Sequence, residues 1–324
     1  MAVANLSQPL VFEPIFMERV WGGRHLESLY GKRLPSAALI GESWEIVDRV
    51  EAQSVVHDGP FRGTTLQQLW KNYRREIFGD VPDNPRRTGS ARFPILVKLL
   101  DAQENLSLQV HPPAAVAEKL GGESKTEMWY VTHAAPKARI YAGFKAEVTA
   151  EKFKDALDHG KPEQYLHTVE VNSGDAIFLP SGRIHALGAG LVIVEIQENS
   201  DTTYRIYDWD RSREGKAARQ MHIPQAMQCV DFSDREPPLL EPEGETLVRH
   251  DLFEVERWEL TEPRQAAAEG EFAIVCCISG SFGCAGLERR AGEFCLIPAS
   301  LADRQLIPRT PHTTILRITM PKAG

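Results

Sequence analysis

Three polar side chains alternate through ENLSLQVHPP (104–113), where Ser107, Gln109 and His111 interleave with Leu106, Leu108 and Val110. Period-two alternation is the pattern of a half-buried strand. A solvated face would carry Lys, Glu and Thr. A hydroxyl, an amide and an imidazole in a row are instead groups that bind something. KTEMWYV (125–131) adds Lys125 and Glu127 just before an aromatic run. Glutamate is depleted in strands, so an inward Glu127 must be paired or metal-bound. In GDAIFLPSGRIH (174–185) a strand climbs to a Pro-Ser-Gly turn and returns with His185 at its start. Singly, each residue has an ordinary explanation: a satisfied core histidine, or a surface Lys–Glu pair worth little. Together Gln109, His111, Glu127 and His185 offer two imidazoles, a carboxylate and an amide oxygen. These are N and O donors that suit zinc, with room for water or substrate.

A further segment, VEIQENSDTTYRIYDWDR (194–211), places Glu195 and Gln197 on one face with Leu191 and Ile193. Polar groups on an apolar strand are suited to orienting a metal site from behind its ligands. The turn-forming SDTTYR holds Arg205 near a barrel mouth, where its guanidinium can fork onto an oxyanion or a phosphate. Lys98, in PILVKLLDA, is placed on a strand that can line the same pocket. Lys125 and Glu127, two apart on one strand, should share a face and sit roughly 7 Å apart along it.

The elements that must position these residues are mostly strands. SARFPILVKLL, EMWYVTHA, ARIYAGF, DAIFLP and LVIVEIQ are short runs rich in β-branched and aromatic residues, bounded by Gly, Pro or Asn. Helical spacing over 65–79 (Leu66, Leu69, Trp70, Tyr73, Ile77) predicts a helix, with Thr65 and Gln68 as a capping box and Gly79 closing it. Helices are also expected over 149–160 and 223–232. The acidic SDREPPLLEPEGE (233–245), with three prolines, reads as an exposed connector. Beyond it, AGEFCLIPAS (291–300) echoes SGDAIFLPSG (173–182), but continues LADRQL where the first continues RIHALG. This predicts an internal duplication, one copy with a histidine and one without. Seven or more short strands per half point to antiparallel sandwiches or jelly rolls.

At 324 residues the chain can bury one large core or two modest ones, and its 42% hydrophobic and 25% charged residues are those of a globular protein. The net charge of −8 argues against nucleic-acid and acidic-membrane partners, which need a basic surface. No run approaches the ~20 apolar residues of a membrane span. The N-terminal stretch lacks a basic segment and is broken by Pro9, Glu13 and Pro14, unlike a signal peptide. Five cysteines without a CxxC pair read as buried, reduced thiols, which predicts a cytoplasmic protein.

LSLQVHP, SKTEMWY, LPSGRIHALG and EIQENSDTTYRIYDWDR, with VWGG (20–23) and GESWE (41–45), resemble in the same order the motifs of the zinc-dependent type I mannose-6-phosphate isomerases. The spacing from Glu127 to His185 resembles the compact bacterial form. The resemblance implies a mainly β protein of two cupin-type antiparallel jelly rolls with helical insertions. Residues 1–232 would form the catalytic domain, 233–245 a linker, and 246–324 a degenerate second cupin without ligands. It implies one zinc per chain held by Gln109, His111, Glu127 and His185, with Arg205 and Lys125 catalytic. Ser107 and Lys125 would contact the sugar phosphate, and Lys98 is our addition to that set. The implied reaction interconverts mannose 6-phosphate and fructose 6-phosphate by proton transfer through an enediol(ate). The base stays open among Lys125, a metal-activated hydroxide and an inward carboxylate. Two departures, Ala189 where the general cupin pattern has Asn and Gln109-x-His111 in place of His-x-His, count against an iron cupin oxygenase. A non-catalytic sugar-phosphate-binding cupin is the remaining rival.

Overall fold

The computed structural model describes residues 6–81, 92–209 and 219–321. Asp210 and Arg211 of the third motif, and residues 1–5 of the N-terminal stretch, lie outside them.

The first half contributes β1 (Ile15–Gly23), β2 (Ile40–Ile46), β3 (Ile95–Ala102), β4 (Leu108–Val110), β5 (Glu127–Ala134), β6 (Arg139–Phe144), β7 (Leu166–Glu170), β8 (Ala176–Leu179), β9 (His185–Leu187), β10 (Leu191–Glu198) and β11 (Tyr204–Tyr207). They form two antiparallel sheets, β1-β2-β3-β10-β5-β8 and β11-β4-β9-β6-β7. The chain jumps between sheets at nearly every turn, as a jelly roll requires. Strands β3 and β10 read as near-continuous apolar runs because both faces of their sheet are covered. One face (Trp129, Leu191, Ile193) fills the barrel, and the other (Val97, Val192, Val194) packs outward into a larger core.

The second half repeats the plan with β12 (Thr246–Arg249), β13 (Glu254–Leu260), β14 (Arg264–Gln265), β15 (Ala273–Ser279), β16 (Ser281–Cys284), β17 (Leu287–Arg290), β18 (Phe294–Ile297), β19 (Gln305–Pro308) and β20 (Thr313–Thr319). Its sheets run β12-β13-β20-β15-β18 and β14-β19-β16-β17. The fold is thus mainly β, with two cupin-type jelly rolls. A shared apolar core joins the two, and Leu10 from the N-terminal segment bridges to Leu296 of β18.

Helix placement departs from expectation in two places. The 65–79 segment keeps its capping box at Thr65 and Gln68 but splits into Leu66–Asn72 and Arg74–Phe78. Tyr73 leaves helical geometry (φ −133°, ψ 29°) and edges against Phe61, while Trp70, Phe78 and Phe93 pack as an aromatic cluster. Packing against these rings overrides helix continuity. The helix expected over 223–232 is a single turn, Ile223–Ala226. The Ala150–Asp158 helix forms, capped by Thr149. All five cysteines are buried and unpaired. Among the described residues no helix is long and apolar enough to cross a membrane.

Candidate metal centre and active site

Strand register assembles the site. Gln109 of β4 lies directly opposite His185 of β9, and His111 follows two residues along, on the same face. Glu127 opens β5 in the facing sheet, so its carboxylate enters the barrel from the other side. The turn before His185 is held by Gly182 (φ 92°), a conformation that favours glycine, and its N–H donates to the His111 carbonyl at 2.9 Å.

The ligand-capable atoms of His111, Glu127 and His185 all lie within 4.8 Å of one another, and all three residues are buried. His111 Nε2 is 3.4 Å from Glu127 Oε2, and His185 Nε2 is 3.4 Å from Glu127 Oε1. Each imidazole is fixed from behind: Nδ1 of His111 sits 2.9 Å from the Thr202 carbonyl, and Nδ1 of His185 2.9 Å from the Arg183 carbonyl. A carbonyl can only accept, so both rings carry the proton on Nδ1 and present an Nε2 lone pair inward. His111 Nε2 and both Glu127 oxygens are buried with no directed hydrogen bond. Burial, reinforced by the nearby Lys125 charge, lowers the His111 pKa to about 4, and burial likewise lowers that of His185. Both imidazoles are therefore neutral, the form that ligates. Glu127 is held well below the carboxylate range because the Lys125 charge outweighs its burial. The Gln109 amide reaches the same point, with Nε2 3.2 Å from His185 Nε2, and a half-turn of the amide offers its oxygen. Neutral imidazoles, an ionised carboxylate and unsatisfied inward atoms fit a divalent cation such as zinc.

A cleft of about 450 Å³ opens beside this centre, lined in part by Ser107, Gln109, Lys98, Lys125 and Arg205. Lys98, Glu195 and Trp129 stand opposite one another across β3, β10 and β5. Glu195 Oε1 lies 3.3 Å from Lys98 Nζ and 3.8 Å from Lys125 Nζ, while its other oxygen accepts from Trp129 Nε1 at 3.0 Å. Glu195 therefore braces the two lysines rather than the candidate ligands. Gln197, also expected to support the ligands, donates instead to the backbone carbonyls of Glu198 and Ser200.

Lys125 is placed differently from the strand-based expectation. It precedes β5, and its Nζ lies 2.7 Å from Glu127 Oε2 instead of diverging from it. Although burial opposes its charge, Glu127 and Glu195 raise its pKa. Arg205 follows the turn on β11, opposite Gln109, and its Nε is buried without a hydrogen bond among the described residues. The cleft lining also includes residues to which the sequence assigns no role, among them Arg19, Glu42, Asp201, Arg219 and His222. Glu42 carried a usable signal, a glutamate within the wholly buried strand β2. Arg19, on an edge strand with alternating exposure, looked like an ordinary surface residue.

A family model described as phosphomannose isomerase type I, catalytic domain, matches residues 10–127. Mannose-6-phosphate isomerase ManA of Bacillus subtilis (strain 168) is 34% identical over 313 residues, covering 93% of this chain and 93% of the relative. The mannose-6-phosphate isomerase of Streptococcus mutans is 33% identical over 311 residues, covering 93% of this chain and 95% of the relative. A crystal structure of mannose 6-phosphate isomerase from Bacillus subtilis superposes with a TM-score of 0.83 at 30% identity, covering 97% of this chain and all of that one. The chain belongs to the phosphomannose isomerase type I family.

Proposed function

We propose that this chain interconverts mannose 6-phosphate and fructose 6-phosphate, using one zinc ion per chain held by Gln109, His111, Glu127 and His185. Family membership supports the reaction. The observation that carries the metal is the pair of imidazoles anchored through Nδ1 with their Nε2 atoms aimed at one buried carboxylate. When bound, zinc supplies Lewis acidity toward the oxygens on carbons 1 and 2 of the open-chain sugar.

The protein's own groups do the remainder. Lys125 Nζ, kept charged between Glu127 and Glu195, is positioned to donate to a sugar oxygen, and the base that takes the carbon-bound proton stays open among Lys125, a metal-activated hydroxide and an inward carboxylate. A positioned acid–base group contributes ~10²–10⁴-fold. Arg205 keeps its charge at any working pH and presents donors beside Gln109, where negative charge develops on the enediol(ate) oxygens. Ser107 and Lys98 contact the sugar along the cleft wall. The mostly polar lining fits a sugar better than an apolar ligand. We assign residues 1–232 to the catalytic domain, 233–245 to a linker and 246–324 to a metal-free second cupin. Five free thiols suit a reducing cytoplasm.

A coupled assay of mannose 6-phosphate turnover tests this reading. Activity should vanish with a chelator and return with zinc. Tight binding of the sugar phosphate without turnover would identify a regulatory cupin, and oxygen uptake with bound iron an oxygenase.

A further inference from the structure

Charge is distributed unevenly along the cleft. On its floor the ammonium groups of Lys98 and Lys125 face Glu42, Glu127, Glu195 and Asp201, with N···O separations from 2.7 to 3.9 Å. Two cations against four carboxylates make a poor seat for a phosphate dianion. Three guanidinium groups, of Arg19, Arg205 and Arg219, also line the cleft. The charges of Arg219 and Arg19 both act on Arg205, adding to burial in lowering its pKa. Among the described residues Arg205 has no carboxylate at ion-pair distance, and its Nε is buried without a partner. Like charges held together in this way are relieved by a bound anion.

The three arginines are not equivalent. Arg205 lies opposite Gln109, side by side with the metal ligands, where carbons 1 and 2 of the sugar belong. Arg219 is spent on both carboxylate oxygens of Asp208. Arg19 projects from the edge strand β1 and stays about one-third exposed (34%). Its Nε is fastened to Glu42 Oε1 at 2.7 Å and one terminal nitrogen reaches the Glu18 carbonyl at 3.2 Å, leaving the other terminal nitrogen without a hydrogen bond among the described residues. Glu42 is a firm anchor, since it also accepts from Trp44 Nε1 at 2.6 Å, and Lys98 and Arg19 outweigh its burial to hold its pKa near about 2.

We propose that Arg19 grips the phosphate of the sugar phosphate and sets the preference for phosphorylated over free sugar. The proposal rests on the isomerase reading for the identity of the substrate. The sugar then lies in the cleft with its reacting end at the metal and Arg205 and its phosphate at Arg19, where a planar guanidinium matches phosphate oxygens in a two-pronged contact.

Steady-state kinetics on Arg19→Leu and Arg19→Lys, with mannose 6-phosphate and with mannose, test it. Calorimetric titration of zinc-loaded protein with inorganic phosphate provides a readout independent of turnover. Arg19→Leu should raise KM for mannose 6-phosphate about 10–100-fold and weaken phosphate binding in step, the loss expected for a charge-assisted contact made equally in ground and transition states. kcat should move less than about threefold. Arg19→Lys should recover part of the loss. Unchanged KM and phosphate affinity, or a fall confined to kcat, would overturn the proposal. The variant Arg19→Leu/Glu42→Gln controls for the orphaned carboxylate: a KM that stays high supports the contact, and one that returns to wild type assigns the effect to Glu42 and overturns it. Wild-type protein that binds phosphate through Arg19 but turns over no mannose 6-phosphate would instead sink the isomerase reading.

Discussion

The two jelly rolls carry the same strand–turn motif and use it in opposite ways. In the first, the turn after Pro180 delivers His185, buried, to a barrel that also holds Ser107, Lys98, Lys125, Glu127 and Glu195 out of solvent. In the second, the turn after Pro298 reaches Asp303 at the corresponding place, exposed and capping its own turn by accepting from the Gln305 N–H. Apart from the cysteines, Thr313 is the sole buried polar side chain among the described residues of the second half, where Cys276, Phe282, Cys295 and Leu316 supply apolar packing. Buried polar groups cost stability unless each finds a partner. A barrel filled with Cys, Phe and Leu avoids that cost, and the first barrel accepts it in return for ligands and charge. The difference teaches that the shared motif fixes the turn, and the residue five places after its proline decides what the barrel does.

The sharpest way to break this contrast is to remove a ligand. His111→Ala or His185→Ala should abolish zinc binding and lower activity by roughly 10³-fold or more, the scale of losing the electrostatic stabiliser of the reaction. A variant that keeps both metal and rate would dissolve the difference between the barrels. The opposite change belongs to the second half: Phe282→Ala, at a fully buried position, should cost about 3–5 kcal/mol of stability while the folded fraction keeps wild-type kcat. Thermal melting and active-site titration together read both effects.

Acid should separate the barrels as well. In metal-stripped protein the His111 pKa of about 4 lies below its unfolded value near ~6.5. Between these values the unfolded chain binds a proton that the native imidazole refuses, so stability falls as pH drops from about 6.5 toward 4 and is fully present above that window. At ~1.4 kcal/mol per unit the loss is roughly 3 kcal/mol. His111→Ala should flatten the slope, and urea melts at stepped pH will show whether it does. Next in size, Arg205→Ala should lower kcat by roughly 10²-fold with zinc retained. A near-wild-type kcat would make Arg205 a binding residue. The smallest effect belongs to Asp303→Ala, which should leave activity untouched and stability within about 0.5 kcal/mol.

Much of this contrast was legible from residue order, for a physical reason. Side chains on a strand alternate strictly, so Gln109 and His111 could be assigned one face before any coordinates, and a buried glutamate such as Glu127 announces a partner. What alternation cannot reach is where a long side chain ends and which distant elements meet. Lys125 lies just before β5 and turns its ammonium onto Glu127 rather than along the strand. The helix over 65–79 breaks at Tyr73 because rings distant in sequence, Phe61 among them, set the packing. Arg19 and Arg219 line one cleft although they are two hundred positions apart in sequence.

Metal content per chain tests the central claim most directly. Elemental analysis of the purified wild type should find one zinc per chain, with the same value for Asp303→Ala and none for His185→Ala. Two tightly bound metals per chain, or fully active protein with no transition metal, would contradict the division between a ligating and a filled barrel.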